Sequence, residues 1–501
     1  MSNDKILLNF DPDCEQFFME SLNGDYEGLA QKAVDYLDKY YKGNVGDILF
    51  CTFCQTSLTP SAVFTDRTKK CHQKLENGVP VSYEDHPALR PTAIAIEEHG
   101  VCITEVWIKH CNKIGIRPWL SVRMNDHHQW KEETSFLRSD FYYKAKENGW
   151  LLGEKYRSSQ NDFDYGVPEV RRQMLSYIKE QLSRYDVYGL ELDFMREPKC
   201  VRFYDDENAA SYLTEFMRQA KRVIATCEAI HGHPIKLAVR LPRDLALSGI
   251  LGFDVLLWAR EGLLDVAIPS SHWPGVDTGM PIADWVEQLT PYGVDVYACM
   301  EMNLPHKLYT DLEVAKAHTA QYHAQGSKQT YVYNLYHPFL GYMNDLDMWA
   351  IPAPNGAALA EIWSTCGDVE QCRRGKRRHI LTEESPAFDY LKPHWQPLPC
   401  KVGEGVSFEI QTGPIGERAE LILFLGVDGG ELNDVCLNGR SCTPLAESGH
   451  AHILKNPEIA PERIRAYRVP SGAFGKLVQA LTVKAEGNTE LFYVELLVDE
   501  K

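Results

Sequence analysis

The sequence predicts a (β/α)8 TIM barrel with a C-terminal antiparallel β-sandwich domain, on three observations. Short apolar runs alternate with helical stretches, and eight such runs fall between residues 5 and 335. No G-x-G-x-x-G or G-x-x-x-x-G-K motif follows any of them, so the competing open, doubly wound sheet lacks its phosphate-cradling turn. After about residue 395 the helical signals fade and Gly- and Asn-punctuated strand runs take over. The expected domains are therefore residues 1–394 for the barrel and 395–501 for the β-sandwich.

Each element has its own justification. The first two strands are read at Lys5–Phe10 (KILLNF) and Asp47–Phe53 (DILFCTF), with a helix around Gly28–Tyr41 between them. Residues 55–100 carry several turn signals and read as a long excursion on the side of a barrel where loops hold function. A helix at Ile103–Ile114 leads into the third strand, Ile116–Arg123. The fourth unit is the most regular. Asp164 and Pro168 open a helix that runs to about Arg184, with Val170, Met174, Ile178 and Leu182 on one face, and the strand Val187–Asp193 follows. The remaining strands are Ile235–Leu241, Leu264–Pro269, Val294–Met300 and Gln329–Leu335. Helices are expected around Ala209–His231, Phe253–Glu261, Ile282–Gln288 and Leu312–Ala324. In the C-terminal part, 406–411, 419–424, 477–483 and 490–498 read as sandwich strands.

Composition narrows the partners. Hydrophobic residues make up 44% of the 501 and charged residues 24%, an ordinary globular balance. The formal charge of −18 argues against nucleic acid or an anionic membrane surface as a general partner. The basic cluster Arg373, Arg374, Lys376, Arg377 and Arg378 reads as a solvated helix end. No secretory leader or membrane-length apolar run is seen. The scattered cysteines, several in strand-like runs (Cys51, Cys54, Cys299), suit buried thiols in a reducing compartment, so a cytoplasmic location is expected. Oligomeric state is not set by the sequence.

In a barrel of this kind the chemistry comes from strand C-termini and the loops that follow them. Strand three runs into Arg123, Met124, Asn125, Asp126, His127 and His128. Alternation sends Glu191 and Asp193 of strand four to one face, and Leu190 and Leu192 must then meet the helices, so both acids point into the barrel. Glu191, the deeper, reads equally as a buried partner for Arg123 or Arg240. Strand five ends in Arg240 and Arg243, six in His272 and Trp273, seven in Glu301, and eight in Asn334, Tyr336 and His337. Asp193 and Glu301 thus end strands four and seven. Paired carboxylates across one mouth are what glycosidic cleavage requires: one protonates the leaving oxygen, the other attacks or activates water. Trp130, Trp273 and Tyr336 offer flat faces to a sugar ring. Arg123, Arg196, Arg240 and Arg243 either grip an acidic group on a substrate or neutralise Asp126, Glu191 and Asp193.

The segments V-P-E-V-R-R (167–172), Y-D-V-Y-G-L-E-L-D-F-M-R-E-P (185–198), R-M-N-D-H-H (123–128), A-V-R-L-P-R-D (238–244) and W-A-R-E-G-L-L-D-V-A-I-P-S (258–270) resemble the glycoside hydrolase family 10-like and related glycosyl-hydrolase-like TIM-barrel proteins of bacteria. The resemblance covers roughly residues 1–390. It implies a glycosidase with a carbohydrate substrate and no cofactor. In the large retaining clan of barrel glycosidases the acid/base follows strand four and the nucleophile strand seven, which implies Asp193 as acid/base and Glu301 as nucleophile. The chain departs from that clan's Asn-Glu at the end of strand four, having Leu192-Asp193 there, so Asp193 as nucleophile stays open. Arg123, Asn125, Asp126, His127, Glu191, Arg196, Arg240, His272, Trp273, Asn334 and Tyr336 are the expected substrate contacts. Two other readings stand beside this one: a metal-dependent barrel hydrolase or isomerase using Asp126, His127, His128, His272 and His337, and a sugar-binding barrel without turnover. Cys51 and Cys54 form a C-x-x-C that reads as buried thiols rather than a redox pair.

Overall fold

Eight parallel strands close into a barrel: β1 (Leu7–Phe10), β2 (Asp47–Phe53), β3 (Arg117–Arg123), β4 (Gly189–Asp193), β5 (Lys236–Pro242), β6 (Val266–Ser270), β7 (Asp295–Met300) and β8 (Gln329–Val332), each beside its neighbours in chain order. This is a computed structural model, and it describes all residues except 1–4, 12, 71–88, 127–134, 136, 204–205, 273–274, 336–348, 383–396, 447–448, 473 and 475–476. The strands are buried along nearly their whole length, which is why they read as continuous apolar runs rather than alternating ones. Helices stand between them at Leu29–Tyr40, Ile103–Ile114, Pro168–Arg184, Ala209–His231, Val255–Arg260, Ile282–Leu289 and Leu312–Ala324. Pro168 occupies the first helical turn, where its missing N–H is no loss. Gly189 opens β4 for a steric reason: a Cβ there would stand 2.1 Å from the Trp119 ring on β3.

The chain divides into two compact units. The first comprises Leu7–Pro269 with Glu287–Val296, and the second Met1–Ile6, Ser270–Val286 and Tyr297–Lys501. In the first, parallel register sets residues in rows across the sheet. Ser121, Glu191 and Ala238 share one row, and Arg123, Asp193 and Arg240 share the row at the strands' C-terminal ends.

The second unit carries the antiparallel sheets. Its strands are β9 (Gly375–Ile380), β10 (Val406–Gln411), β11 (Glu420–Asp428), β12 (Leu432–Leu437), β13 (Thr443–Leu445), β14 (Ile464–Arg468), β15 (Val478–Ala485) and β16 (Glu490–Glu500). One sheet runs β9-β16-β11-β14-β13 and the other β10-β15-β12. Leu421, Leu423 and Leu425 on one face of β11 join Ile410, Val435, Leu437, Leu481 and Val483 of the facing sheet in one core. The opposite face turns Phe424 toward Val276, Leu308, Val314 and Ile453. The register between β11 and β16 slips at Gly426/Val427, leaving Phe492 as the extra residue, and a Cβ on Gly426 would come within 2.7 Å of that ring.

The basic cluster corrects the sequence reading. Arg373 does end a short helix, Val369–Arg373, but Lys376, Arg377 and Arg378 belong to strand β9. Arg377 and Arg378 are buried, not solvated. Arg377 pairs with Glu500 at 2.8 Å, and Arg378 with Glu313 at 2.7 Å and with Asp311. Acids drawn from distant parts of the chain turn a run of charge into an interior strand.

Candidate active site at the strand ends

The row Arg123–Asp193–Arg240 is the centre of a buried charge cluster. Asp193 has no exposed surface, and three donors converge on its Oδ1: the Arg240 Nη1 at 3.2 Å and the backbone N–H groups of Met195 and Arg196, each at 3.0 Å. Arg240 also reaches Oδ2 at 3.4 Å. The two amides arise because the chain turns back over the strand end immediately after Asp193, and the guanidinium because β5 lies in register beside β4. Together they fix the carboxylate's orientation.

One strand over, Arg123 splits its guanidinium between two acids. Nη1 donates to Asp126 at 2.8 Å and Nη2 donates to Asp11, the residue that follows β1. Arg196 approaches the same Asp126 at 3.9 Å. Below this row, Ser121 donates its hydroxyl to Glu191 at 2.5 Å, carboxylate and hydroxyl sharing a row across β3 and β4. Asn125 plays a bracing part. Its amide donates to the carbonyls of Phe163 at 3.0 Å and Lys199 at 3.1 Å and accepts the Phe163 N–H at 3.0 Å, which ties two loops to the end of β3.

Sequence reasoning missed Asp11, Gln55 and Arg138. Asp11 had a signal, being the first acid after the KILLNF strand. Gln55 follows β2 in a left-handed conformation (φ 63°), unusual for a non-glycine residue, and is buried. Its side chain donates to the Asp126 carbonyl and accepts from Arg138 Nη1 at 2.6 Å. Nothing in the sequence announces that geometry.

Among the other expected residues, Glu301, His272 and Asn334 lie in the second unit. Glu301 follows β7 with no exposed surface, and its carbonyl accepts the Thr310 hydroxyl at 3.0 Å. His272 is buried two residues beyond β6, and Asn334 is buried beyond β8 with φ 56°, the left-handed region that asparagine tolerates best among non-glycine residues. His127, His128, Trp130, Trp273, Tyr336 and His337 fall outside the described residues.

The C-x-x-C thiols are buried. Burial pushes the Cys51 and Cys54 thiols well up; Arg123 is the main opposing charge at Cys51, and Asp126 adds to the rise at Cys54. No described cysteine is in a disulfide. Neither member of the C-x-x-C is primed as a thiolate nucleophile. Among the described residues no group of three or more His, Cys, Asp or Glu is set to hold a metal ion. Among them, too, no helix is long and apolar enough to cross a membrane.

No family model matches the chain, and no curated protein matches it. Solved structures similar to it include the endo-beta-1,4-mannanase from Thermotoga petrophila, 10% identical over 99% of this chain and 98% of that one, with a TM-score of 0.45. Alpha-L-fucosidase isoenzyme 1 from Paenibacillus thiaminolyticus is 11% identical over 97% of each chain, with a TM-score of 0.33. The PgaB (BpsB) glycoside hydrolase domain from Bordetella bronchiseptica is 10% identical over 72% of this chain and 99% of that one, with a TM-score of 0.37. Fold class rests on the chain's own closed strand order.

Proposed function

We propose that the chain is a glycoside hydrolase that cleaves a glycosidic bond in an oligosaccharide or small glycoside, with Asp193 and Glu301 as its two carboxylates. The observation that carries this reading is Asp193 itself: a fully buried carboxylate at the C-terminal end of a barrel strand, held by one guanidinium and two amides. Removing a carboxylate from water costs several kcal/mol before any pairing. A barrel that bears this cost at the end where such folds carry their chemistry is holding a group for use. Because donors hold its carboxylate in one orientation, Asp193 suits the nucleophile or general base, and Glu301 the acid that protonates the leaving oxygen. The E-L-D-F-M-R and R-M-N-D segments, through their family 10-like resemblance, point the same way. Arg123 and Arg196, both within reach of Asp126, are the groups to meet an acidic substituent on the sugar. The free thiols fit a reducing, cytoplasmic setting.

The test is hydrolysis of a panel of aryl glycosides and uronides by wild type, Asp193→Asn and Glu301→Gln, with metal quantified in each preparation. Turnover without metal, and a loss of at least about a hundredfold in each variant, is the expected outcome. Turnover that survives both substitutions removes these carboxylates from the mechanism. Sugar binding with no turnover of any substrate makes the barrel a receptor rather than an enzyme.

A further inference from the structure

The second unit contains a pocket of about 780 Å3 that takes no part in the reading above. Its walls come from four segments: Tyr309–Glu313 at the start of a barrel helix, residues 353–362 around the helix Gly356–Cys366, Arg378 on β9, and the turn around His450–Lys455. The size lies inside the range of about 300–1,000 Å3 in which proteins hold small molecules.

The wall is polar in an ordered way. Asp311 caps the helix Leu312–Ala324 through the Val314 N–H at 3.2 Å and takes the Lys455 ammonium at 2.6 Å and the Arg378 guanidinium on its other oxygen. Arg378 also holds Glu313 at 2.7 Å. Glu361 adds an exposed carboxylate. Within this frame His452 is only 1% exposed, yet neither ring nitrogen makes a well-formed hydrogen bond, although Nδ1 stands 3.5 Å from Asp311 and the Tyr309 main chain lies close by. Buried polar groups are nearly always satisfied, and an orphan costs about 1–3 kcal/mol. Burial, reinforced by Arg378, holds its pKa down to about 3, so the ring is a neutral imidazole with one N–H to give and one bare nitrogen to accept. Beside it the half-buried Tyr309 ring stands edge-on, centroids 6.5 Å apart, with the Lys455 ammonium 6.0 Å away.

A ligand that fits must both donate and accept, and it must carry no strong charge. An anion meets Asp311, Glu313 and Glu361; a cation meets Arg378 and Lys455. Hydroxyl groups satisfy imidazole, ammonium and carboxylate alike, and an aromatic face accommodates the apolar side of a sugar ring. We propose that this pocket is a binding site for a neutral polyhydroxylated ligand, a mono- or disaccharide, recognised by His452, Lys455, Glu361 and Tyr309.

Calorimetric titration of the full chain with maltose, cellobiose, mannobiose and lactose tests the proposal, with inorganic phosphate and spermidine as charged probes. At least one disaccharide is expected to bind wild type and Asp193→Asn with equal affinity. Lys455→Ala and Tyr309→Ala, both at sites with solvent access, are expected to weaken it at least about tenfold, and His452→Phe to abolish it. The proposal is overturned if none of the four sugars titrates, if their affinity is unchanged in Lys455→Ala and Tyr309→Ala, or if phosphate or spermidine binds in their place. None of these outcomes touches the hydrolysis assigned to Asp193, and loss of hydrolysis in Asp193→Asn says nothing about this pocket.

Discussion

Each unit of the chain buries a network of opposite charges, and the two are assembled in different ways. At the strand ends of the first unit, parallel register does the work: Arg123, Asp193 and Arg240 fall in one row across three neighbouring strands. In the second unit Asp311 comes from a helix cap, Arg378 from β9, His452 from a short turn and Glu495 from β16. The first network holds one carboxylate with a set of fixed donors. In the second, acids outnumber donors around Arg378, and burial raises the pKa of the fully enclosed Glu495. A clamp of fixed donors and a network with more acids than donors should fail differently when cut.

The largest expected effect is Arg240→Leu. It strips the fully buried Asp193 of the Arg240 guanidinium, which should cost about 3–5 kcal/mol in the unfolding transition read by urea denaturation. Arg378→Leu should cost at least about 1 kcal/mol less. Asp311 keeps Lys455, and Glu313 is partly solvated. Equal losses would mean that both networks are rigid clamps and that the contrast is wrong.

The units should also part company in acid. Burial holds His318 and His452 to pKa values of about 3 and pushes His379 well below its usual range, with Arg377 adding to the shift at His379. All three lie in the second unit. Their folded pKa values sit below the unfolded value of about 6.5, so between roughly pH 6.5 and 3 the unfolded chain binds more protons. Stability is therefore full above that window and falls as pH drops through it, by up to about 1.4 kcal/mol per pH unit for each histidine. In the first unit His233 shifts the other way, raised by the Pro234 carbonyl and then Asp186, so its small contribution is present at low pH and fades as pH rises. Hydrogen exchange between neutral pH and about pH 4.5 should show β9, β11 and β16 losing protection before β3, β4 and β5. Protection lost first from the barrel strands would refute this ordering.

The same contrast explains what was legible in the sequence. The eight barrel strands lie within three residues of their expected bounds because buried parallel strands are continuous apolar runs, and a polar residue at the end of one marks its C-terminus. Asp193 and Arg240 were found by that rule. β9 was not, because Gly-Lys-Arg-Arg-His-Ile carries no apolar pattern, and its burial depends on Asp311, Glu313 and Glu500, each more than 60 residues away in sequence. Gln55 and His452 escaped for the same reason: their roles are made by contacts that no local spacing encodes.

The smallest effect concerns the glutamates beneath the two networks, Glu191 and Glu495, each fully buried and each bonded by a hydroxyl. Ser121→Ala removes the hydroxyl that β3 supplies to Glu191, and Tyr493→Phe the one that β16 itself supplies to Glu495. Deleting one partner of a buried carboxylate costs about 1–3 kcal/mol. Glu495 keeps the His452 backbone N–H at 3.1 Å and has Arg378 at 3.9 Å, so Tyr493→Phe should sit at the lower end. Ser121→Ala should sit above it, since parallel register fixes Ser121 directly opposite Glu191 in the barrel row. Urea denaturation of the two variants side by side measures the difference. If Tyr493→Phe proves the more damaging, the network around Arg378 is the rigid one, and the pocket beside it is preorganised more tightly than the strand ends.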